Sequence, residues 1–156
     1  MQKGVQDAGA GSTRGLEDHI LNASRMMVNI LAESLLQEGE EQITVPQFRV
    51  LDMTLNRIDK PAQIANMLGI SPPAVTSLLE GLEERGLLRR TPGIKDRRRV
   101  ELALTPTGRR LVRRVNARRK KYLEAILQRM KGDTRRGLDD SLREFASAYI
   151  RLKEES

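Results

Sequence analysis

The segment from residue 71 to residue 104 constrains the fold of this chain more than any other part of it. Its first half carries apolar residues at i, i+3, i+4 and i+7, the spacing that places one apolar stripe along a helix. Ser71 is a favourable N-cap, Pro72 suits the first helical position, and Gly86 suits the left-handed residue that ends a helix. The stripe consists of Val75, Leu78, Leu79 and Leu82. This pattern predicts a helix over 72–86.

The face of this helix opposite the stripe is short and polar near its N-terminus. It consists of Pro73, Thr76, Ser77 and Glu80. A helix that enters the major groove of DNA needs a narrow end whose side chains can hydrogen-bond bases or phosphates. Short polar residues are also common on exposed helices that bind nothing. This face therefore indicates DNA binding only together with its neighbours in the sequence.

A shorter helix and a tight turn precede this helix. The shorter helix is predicted from Lys60 or Pro61 to Leu68, with Asp59 as a candidate N-cap. The turn over 69–71 is short and contains a glycine, as the turn between two such helices requires. The two helices together predict a helix–turn–helix.

A basic β-hairpin is predicted directly after the helix pair. One strand begins at Leu87, and Pro92 with Gly93 begins the turn. The apolar residues that alternate along the return strand are Val100, Leu102 and Leu104. The loop over 93–99 holds four cations and one acid. Charged hairpin tips are usually solvated surface, but a tip this basic beside a helix–turn–helix is better interpreted as a wing on the phosphate backbone.

The segment from Ile43 to Gly108 resembles the winged helix–turn–helix of the MarR-type bacterial transcription regulators. The resemblance is carried by the helix pair ending in ERGLL, by Asp96-Arg97-Arg98 in the wing and by the closing LALTPTG. Upstream, TVPQFRVLDMTL is similar to the helix that precedes the pair in this family. The resemblance implies a mainly α fold with a small β-hairpin wing: a winged helix–turn–helix lobe plus N- and C-terminal dimerisation helices.

The chain divides into four predicted segments. Residues 1–15 are small and polar and predict a disordered tail. Residues 16–42 predict a helix that is apolar on more than one face, and residues 43–105 form the winged lobe. Residues 106–156 predict two more helices, and the apolar residues of the last are spaced 4-3-4-3, as in a coiled-coil seam. Because a monomer would leave these apolar faces exposed, we expect a homodimer.

The positive charge of the chain is concentrated in one region. Residues 85–121 contain 15 Lys/Arg and two acidic residues and carry +13; since the whole chain carries +7, the remainder carries −6. A local excess of this size indicates a polyanionic partner. The densest run, 109–121, is either a solvated helix face or a second DNA contact.

Composition argues against several other classes of protein. The absence of cysteine excludes disulfides, and one histidine, His19, leaves no usual ligand set for a transition metal. The sequence has no clustered catalytic residues and no phosphate-binding glycine loop, so we expect neither an enzyme nor a cofactor. No apolar run approaches a membrane span and the N-terminus lacks a signal-peptide core, which favours a cytoplasmic protein without membrane contact.

These features and the resemblance imply a dimeric, sequence-specific regulator of transcription, with repression the common role in the family. Twofold symmetry requires a pseudo-palindromic operator in double-stranded DNA, with half-sites about one helical turn apart. The candidate DNA-binding residues are Gln63, Ser71, Pro72, Pro73, Thr76, Ser77, Asp96, Arg97 and Arg98. Pro73, Thr76 and Ser77 are expected at base edges, and Ser71 and Gln63 at phosphates. In the wing, Arg98 is expected in the minor groove, and Asp96 is expected to hold in place either Arg98 or an arginine of the partner chain.

The resemblance also implies a small effector, frequently aromatic or anionic, that releases DNA. It would enter a cleft between the dimer helices and the winged lobe, and the candidate lining residues are Asn22, Met26, Arg49 and Met53. One alternative function stays open: a winged-helix module that binds nucleic acid without sequence specificity, or that binds a protein. Competition between random and operator-like DNA separates the two, because specific sites are bound at least about a thousandfold more tightly.

Overall fold

The computed structural model describes residues 15–37, 43–92 and 100–155, which form six helices and one two-stranded sheet. In chain order the elements are α1 (Leu16–Leu36), α2 (Val45–Leu55), α3 (Pro61–Leu68), α4 (Pro72–Glu84), β1 (Leu88–Pro92), β2 (Val100–Leu104), α5 (Pro106–Arg129) and α6 (Gly132–Glu154). The predicted fold class, mainly α with a small hairpin, is confirmed. Most of the predicted tail lies outside the described residues, as does the hairpin loop over 93–99.

Contacts within the chain group it into two compact units that divide in sequence between Asn116 and Ala117. In the first unit, α2, α3, α4 and the hairpin surround one apolar core, to which α1 contributes its C-terminal end and α5 its first turns. The largest fully buried side chains there are Phe48, Leu51, Ile64, Leu79, Leu82, Leu87 and Leu111. Burial of one such side chain stabilises the fold by about 1.5–3 kcal/mol. This core fixes the positions of the helix pair and the hairpin.

The start of α2 is set by a reciprocal pair of hydrogen bonds. The sequence at Thr44 and Gln47 predicts a capping box, and the structure confirms it. The Gln47 backbone N–H donates to the Thr44 hydroxyl at 3.3 Å, while the Thr44 backbone N–H donates to the Gln47 side-chain oxygen at 3.1 Å. Both amides would otherwise lack a partner in the first turn, so this local pattern determines where the helix begins.

The start of α3 differs from the prediction. Its N-cap is Lys60, and no side chain caps the helix, so the expected cap at Asp59 is wrong. The Asp59 backbone carbonyl instead accepts the N–H of Leu102 at 2.9 Å. This bond joins the loop before α3 to β2, and it places Asp59 beside the sheet rather than at the helix end. Pro61 in the first turn compensates in part, because its missing N–H needs no partner.

The hairpin pairs β1 and β2 antiparallel, with Leu88 opposite Leu104 and Pro92 opposite Val100. Pro92, which the sequence predicts to begin the turn, therefore still belongs to the strand. Leu102 and Leu104 are buried as the alternation predicts, whereas Val100 is 45% exposed. The inner ends of both strands thus attach the hairpin to the core, and the outer ends leave it.

Helix α1 has two different halves. Its C-terminal part joins the core of the first unit through Ile30, Leu31 and Leu35. The part before Ile30 is exposed along its whole length. Apolar side chains on that exposed part are Leu16, Ile20, Leu21, Met26, Met27 and Val28. Within the single chain, only the C-terminal part of the predicted two-sided apolar surface is therefore buried.

The second unit contains the end of α5 and all of α6. Helix α6 begins at Gly132, with Lys131 as its N-cap. No residue of α6 is buried within the described chain. Its seam residues Leu142, Phe145, Tyr149 and Leu152 are each more than half exposed. None of the helices in the described ranges combines the length and the apolar character that crossing a bilayer needs.

Candidate nucleic-acid interface

The N-terminus of α4 is built as the sequence predicts. Ser71 is the N-cap, and its hydroxyl accepts the backbone N–H of Ala74 at 3.4 Å. Pro72 and Pro73 occupy the first turn of the helix. A backbone N–H at these positions would have no partner within the helix, so its absence costs no hydrogen bond. The helix ends at Glu84 and Gly86 follows with φ +66°, so the predicted end is two residues late but the left-handed glycine is confirmed.

The two faces of α4 divide as the apolar spacing predicts. Val75, Leu79 and Leu82 are buried and hold the helix against the core, with Leu78 half-buried beside them. The opposite face is exposed near the N-terminus and consists of Pro73, Thr76, Ser77 and Glu80. The Thr76 hydroxyl donates to the Pro72 carbonyl at 3.1 Å, which fixes its rotamer and leaves its oxygen free to accept. The result is a rigid and narrow helix end whose polar groups face solvent.

The remaining predicted contacts fall into two groups. Gln63 is exposed on α3, and its side chain makes no hydrogen bond within the described residues. It is therefore available to a phosphate, although no hydrogen bond among the described residues links it to α4. Asp96, Arg97 and Arg98 lie outside the described residues. The described strands that lead to them carry exposed arginines, Arg89 and Arg90.

One residue that sequence reasoning missed connects α4 to the hairpin. Glu83, in the last turn of α4, accepts the backbone N–H of Arg90 at 3.0 Å. The same carboxylate pairs with the Arg90 guanidinium at 3.3 Å. A glutamate on a helix and an arginine on a strand share no periodic spacing, so no sequence signal identifies this pair. It fixes the hairpin relative to the candidate recognition helix.

Thr105 closes the base of the hairpin. Its hydroxyl donates to the Gly86 carbonyl at 2.7 Å, and the hydroxyl oxygen accepts the Gly108 N–H at 3.0 Å. Its backbone N–H donates to the Leu87 carbonyl at 3.1 Å. Thr105 thus caps the first turn of α5, and the same residue also joins the end of α4 to the start of α5.

Gly108 allows α5 to approach the hairpin closely. A Cβ added at this position would lie 2.0 Å from the Leu87 carbonyl oxygen, far inside contact distance. Farther along, Asn116 donates to the Asp52 carboxylate at 2.8 Å and joins α5 to α2. The cationic run on α5 faces solvent at its start, where Arg109, Arg110 and Arg113 are exposed.

Comparisons with known proteins agree with this architecture. Residues 41–99 match a family model described as the MarR family. The HTH-type transcriptional repressor MdtR of Bacillus subtilis (strain 168) is 31% identical over 94 residues, which are 60% of this chain and 61% of that protein. The chain thus spans less than two thirds of the length of this relative.

Solved structures share the fold over most of the chain. RV1404 from Mycobacterium tuberculosis has a TM-score of 0.76 at 36% identity, covering 88% of this chain and 93% of that one. Wild-type MarR (apo form) from E. coli has the same fold, with a TM-score of 0.71 at 23% identity over 83% of this chain and 96% of that one. The chain belongs to the MarR family.

The effector residues predicted for this MarR-family chain lie on two helices, α1 and α2, and three of the four are exposed. Asn22 and Met26 lie in the exposed half of α1, where the Asn22 side-chain oxygen accepts a hydrogen bond from Arg25 at 2.9 Å. Arg49 is exposed on α2, and only Met53 packs against the core. A pocket that includes all four residues stays a prediction, and it requires further covering surface such as a second chain.

Proposed function

We propose that this chain is a dimeric, sequence-specific DNA-binding regulator of transcription. The observation that carries the proposal is the end of α4: a capped, rigid helix N-terminus with Thr76 and Ser77 exposed on a face that the core leaves free. Such an end fits a major groove, where short hydroxyl side chains can reach base edges directly or through water. Membership in the MarR family supports the same function.

The proposed contacts divide by role. Pro73, Thr76 and Ser77 meet base edges, while Ser71 and Gln63 meet phosphates. Ser71 and Gln63 are both exposed, as contact with a phosphate requires. Phosphate contacts set register and orientation, and base contacts specify sequence. The wing adds Arg97 and Arg98 outside the major-groove half-site, with Asp96 orienting an arginine.

Dimerisation is the second part of the proposal. The exposed half of α1 and the seam of α6 each carry large apolar side chains, of which Met26 is 62% exposed and Leu152 61%. Contiguous apolar surface of this kind marks an interaction site in soluble proteins. A second copy of the chain is the partner that would cover the same faces on both molecules. Twofold symmetry then places two α4 helices about 34–36 Å apart on a pseudo-palindromic operator.

Repression and effector control complete the proposal. The Bacillus subtilis relative is a transcriptional repressor, and we assign the same role to this chain. A small aromatic or anionic molecule would weaken DNA binding from a cleft that contains Asn22, Met26, Arg49 and Met53. Arg49, exposed on α2, is the cationic member of this set.

Selection from a random DNA pool tests the central claim. The purified chain should enrich one motif with two inverted half-sites, and random competitor should bind at least about a thousandfold more weakly. Sedimentation at micromolar concentration should give about twice the chain mass of 17.6 kDa. Equal retention of all sequences would instead support a non-specific winged-helix module. A stable monomer would remove the basis for a symmetric operator.

A further inference from the structure

A cavity of about 300 Å³ lies beside the base of the hairpin, away from the exposed face of α4. Its walls come from the end of α2 at Thr54 and Leu55, from the loop that follows, from β2 and from the start of α5. This volume falls at the lower end of the range for small-molecule sites. The cavity is part of the first unit, and none of the four predicted effector residues lines it.

Three charged residues line this cavity: Arg57, Asp59 and Arg109. Neither guanidinium forms a salt bridge with an acidic side chain within the described residues. A planar guanidinium binds a carboxylate through paired, charge-assisted hydrogen bonds. Two arginines at one cavity, without an acidic partner in the described part of the chain, therefore favour an anionic ligand group.

Arg57 stands in a conformation that its residue type rarely adopts. Its φ is +68°, in the left-handed region where glycine or asparagine is the easier choice. Its backbone N–H donates to the Thr54 carbonyl at 3.2 Å, which holds the turn at the end of α2. An arginine thus lines the cavity at a position where the backbone favours glycine. Strained residues of this kind concentrate at ligand sites.

Asp59 limits which anion can bind. Its side chain is half-buried at the cavity wall, held there because its backbone carbonyl accepts the Leu102 N–H at 2.9 Å. A carboxylate beside the ligand repels a second negative charge and favours a hydrogen-bond donor or a cation. The wall therefore offers positive groups for an anion and one negative group for a donor.

We propose that this cavity binds a free α-amino acid. The ligand carboxylate would contact Arg57 and Arg109, and its ammonium group would contact Asp59. The cavity volume is sufficient for a molecule of this size, and the ligand side chain would lie against Leu55 and the β2 residues of the wall. The proposal concerns a site separate from the DNA-binding face and from the predicted effector cleft, and it holds whether or not the chain regulates transcription.

Calorimetric titration of the full chain with each of the twenty protein amino acids, without DNA, tests the proposal. We expect at least one to bind. Removal of its carboxylate, as in the amide, or of its ammonium group, as in the deaminated acid, should each lower affinity about tenfold or more. Binding of the deaminated acid as tight as that of the amino acid would overturn the role of Asp59 and the proposed ligand class.

Variants of the two arginines complete the test. Arg57→Gly suits the left-handed backbone, and Arg109→Gln changes an exposed helical residue, so both should fold normally. Each should lower affinity about tenfold or more. Arg113→Gln is the matched control, because Arg113 is exposed one turn farther along α5 and does not line the cavity. No binding by any amino acid, or equal losses in all three variants, would overturn the proposal.

Discussion

The Glu83 carboxylate contacts Arg90 twice, through the backbone N–H at 3.0 Å and through the guanidinium at 3.3 Å. Arg90 belongs to β1 and lies opposite Leu102 of β2. The last turn of α4 is therefore attached to the strand that leads to the wing. Because this bond reaches the main chain, it restrains the direction of the hairpin and not only one side chain. These contacts consequently stabilise one orientation of β1 relative to the end of α4.

Replacement of Glu83 should weaken the attachment of the hairpin to α4 and so lower the stability of the fold. Glu83→Ala should lower the free energy of unfolding by about 1–2 kcal/mol, since it removes a hydrogen bond to a charged acceptor. Glu83→Gln should lose less, because the ion pair is only partly shielded and is worth about 0–1 kcal/mol. Urea denaturation measures both. Glu84→Ala is the control, since Glu84 is exposed and its side chain makes no hydrogen bond or ion pair within the described residues.

A methyl group at Gly108 should be poorly tolerated. Gly108→Ala places a Cβ 2.0 Å from the Leu87 carbonyl oxygen, and backbone atoms on both sides must shift. Overpacking of this kind costs about 1–3 kcal/mol, which outweighs the gain of up to about 1 kcal/mol from replacing glycine in a helix.

Gly137→Ala provides the matched comparison in the same type of element. A Cβ at Gly137 in α6 meets no atom within 4 Å in the single chain, so only the helical gain remains. Thermal unfolding should show a lower melting temperature for Gly108→Ala and an equal or higher one for Gly137→Ala. Equal stability of the two variants would contradict the close approach of α5 to the hairpin.

Sequence discrimination should depend on Thr76 and Ser77. In the unmodified chain, one wrong base pair in the operator should cost about 1–3 kcal/mol of binding free energy. Changing both residues to Ala should reduce this penalty at the contacted positions while stability and binding to random DNA stay nearly constant, because both side chains are exposed. Titration against single-base operator variants checks this. An unchanged preference would mean that other residues read the bases.

In the wing, Arg98 should contribute affinity for DNA, and Asp96 should hold an arginine in the binding position. Arg98→Ala should weaken operator binding by about 1–3 kcal/mol and reduce its salt dependence. Asp96→Ala should show a smaller loss, although removal of a negative charge alone would strengthen binding to a polyanion. Titrations at two salt concentrations distinguish the cases. Tighter binding by Asp96→Ala would exclude the positioning role.

Local signals predicted the elements whose geometry is set locally. The caps at Thr44 and Ser71 are hydrogen bonds between residues three apart, so their sequence patterns suffice. The buried stripe of α4 follows from helical periodicity alone. The left-handed glycine at Gly86 was equally accessible to prediction, because few other residues adopt that backbone conformation.

Features that depend on distant parts of the chain were not accessible in this way. Asp59 resembles a helix cap in sequence, but its main chain bonds to Leu102 on a strand that follows much later. The cavity joins Arg57 and Arg109 from two different elements, and its charge pattern appears only after the core brings α2, β2 and α5 together. For the same reason, no sequence pattern indicates that Glu83 reaches Arg90.

The Thr105 bonds have a consequence for how the hairpin can vary. They close a loop between Gly86 and Thr105, positions nineteen apart in sequence, before the chain enters α5. The paired strands on the inner side of this closure are fixed by the core and by Glu83, so only the segment between Pro92 and Val100 can change in length without moving either helix. Doubling the length of a flexible loop costs only about 0.6 kcal/mol in closure entropy. The segment over 93–99 is therefore a natural graft site, where tips of other lengths and charges could be inserted to redirect contacts outside the half-site.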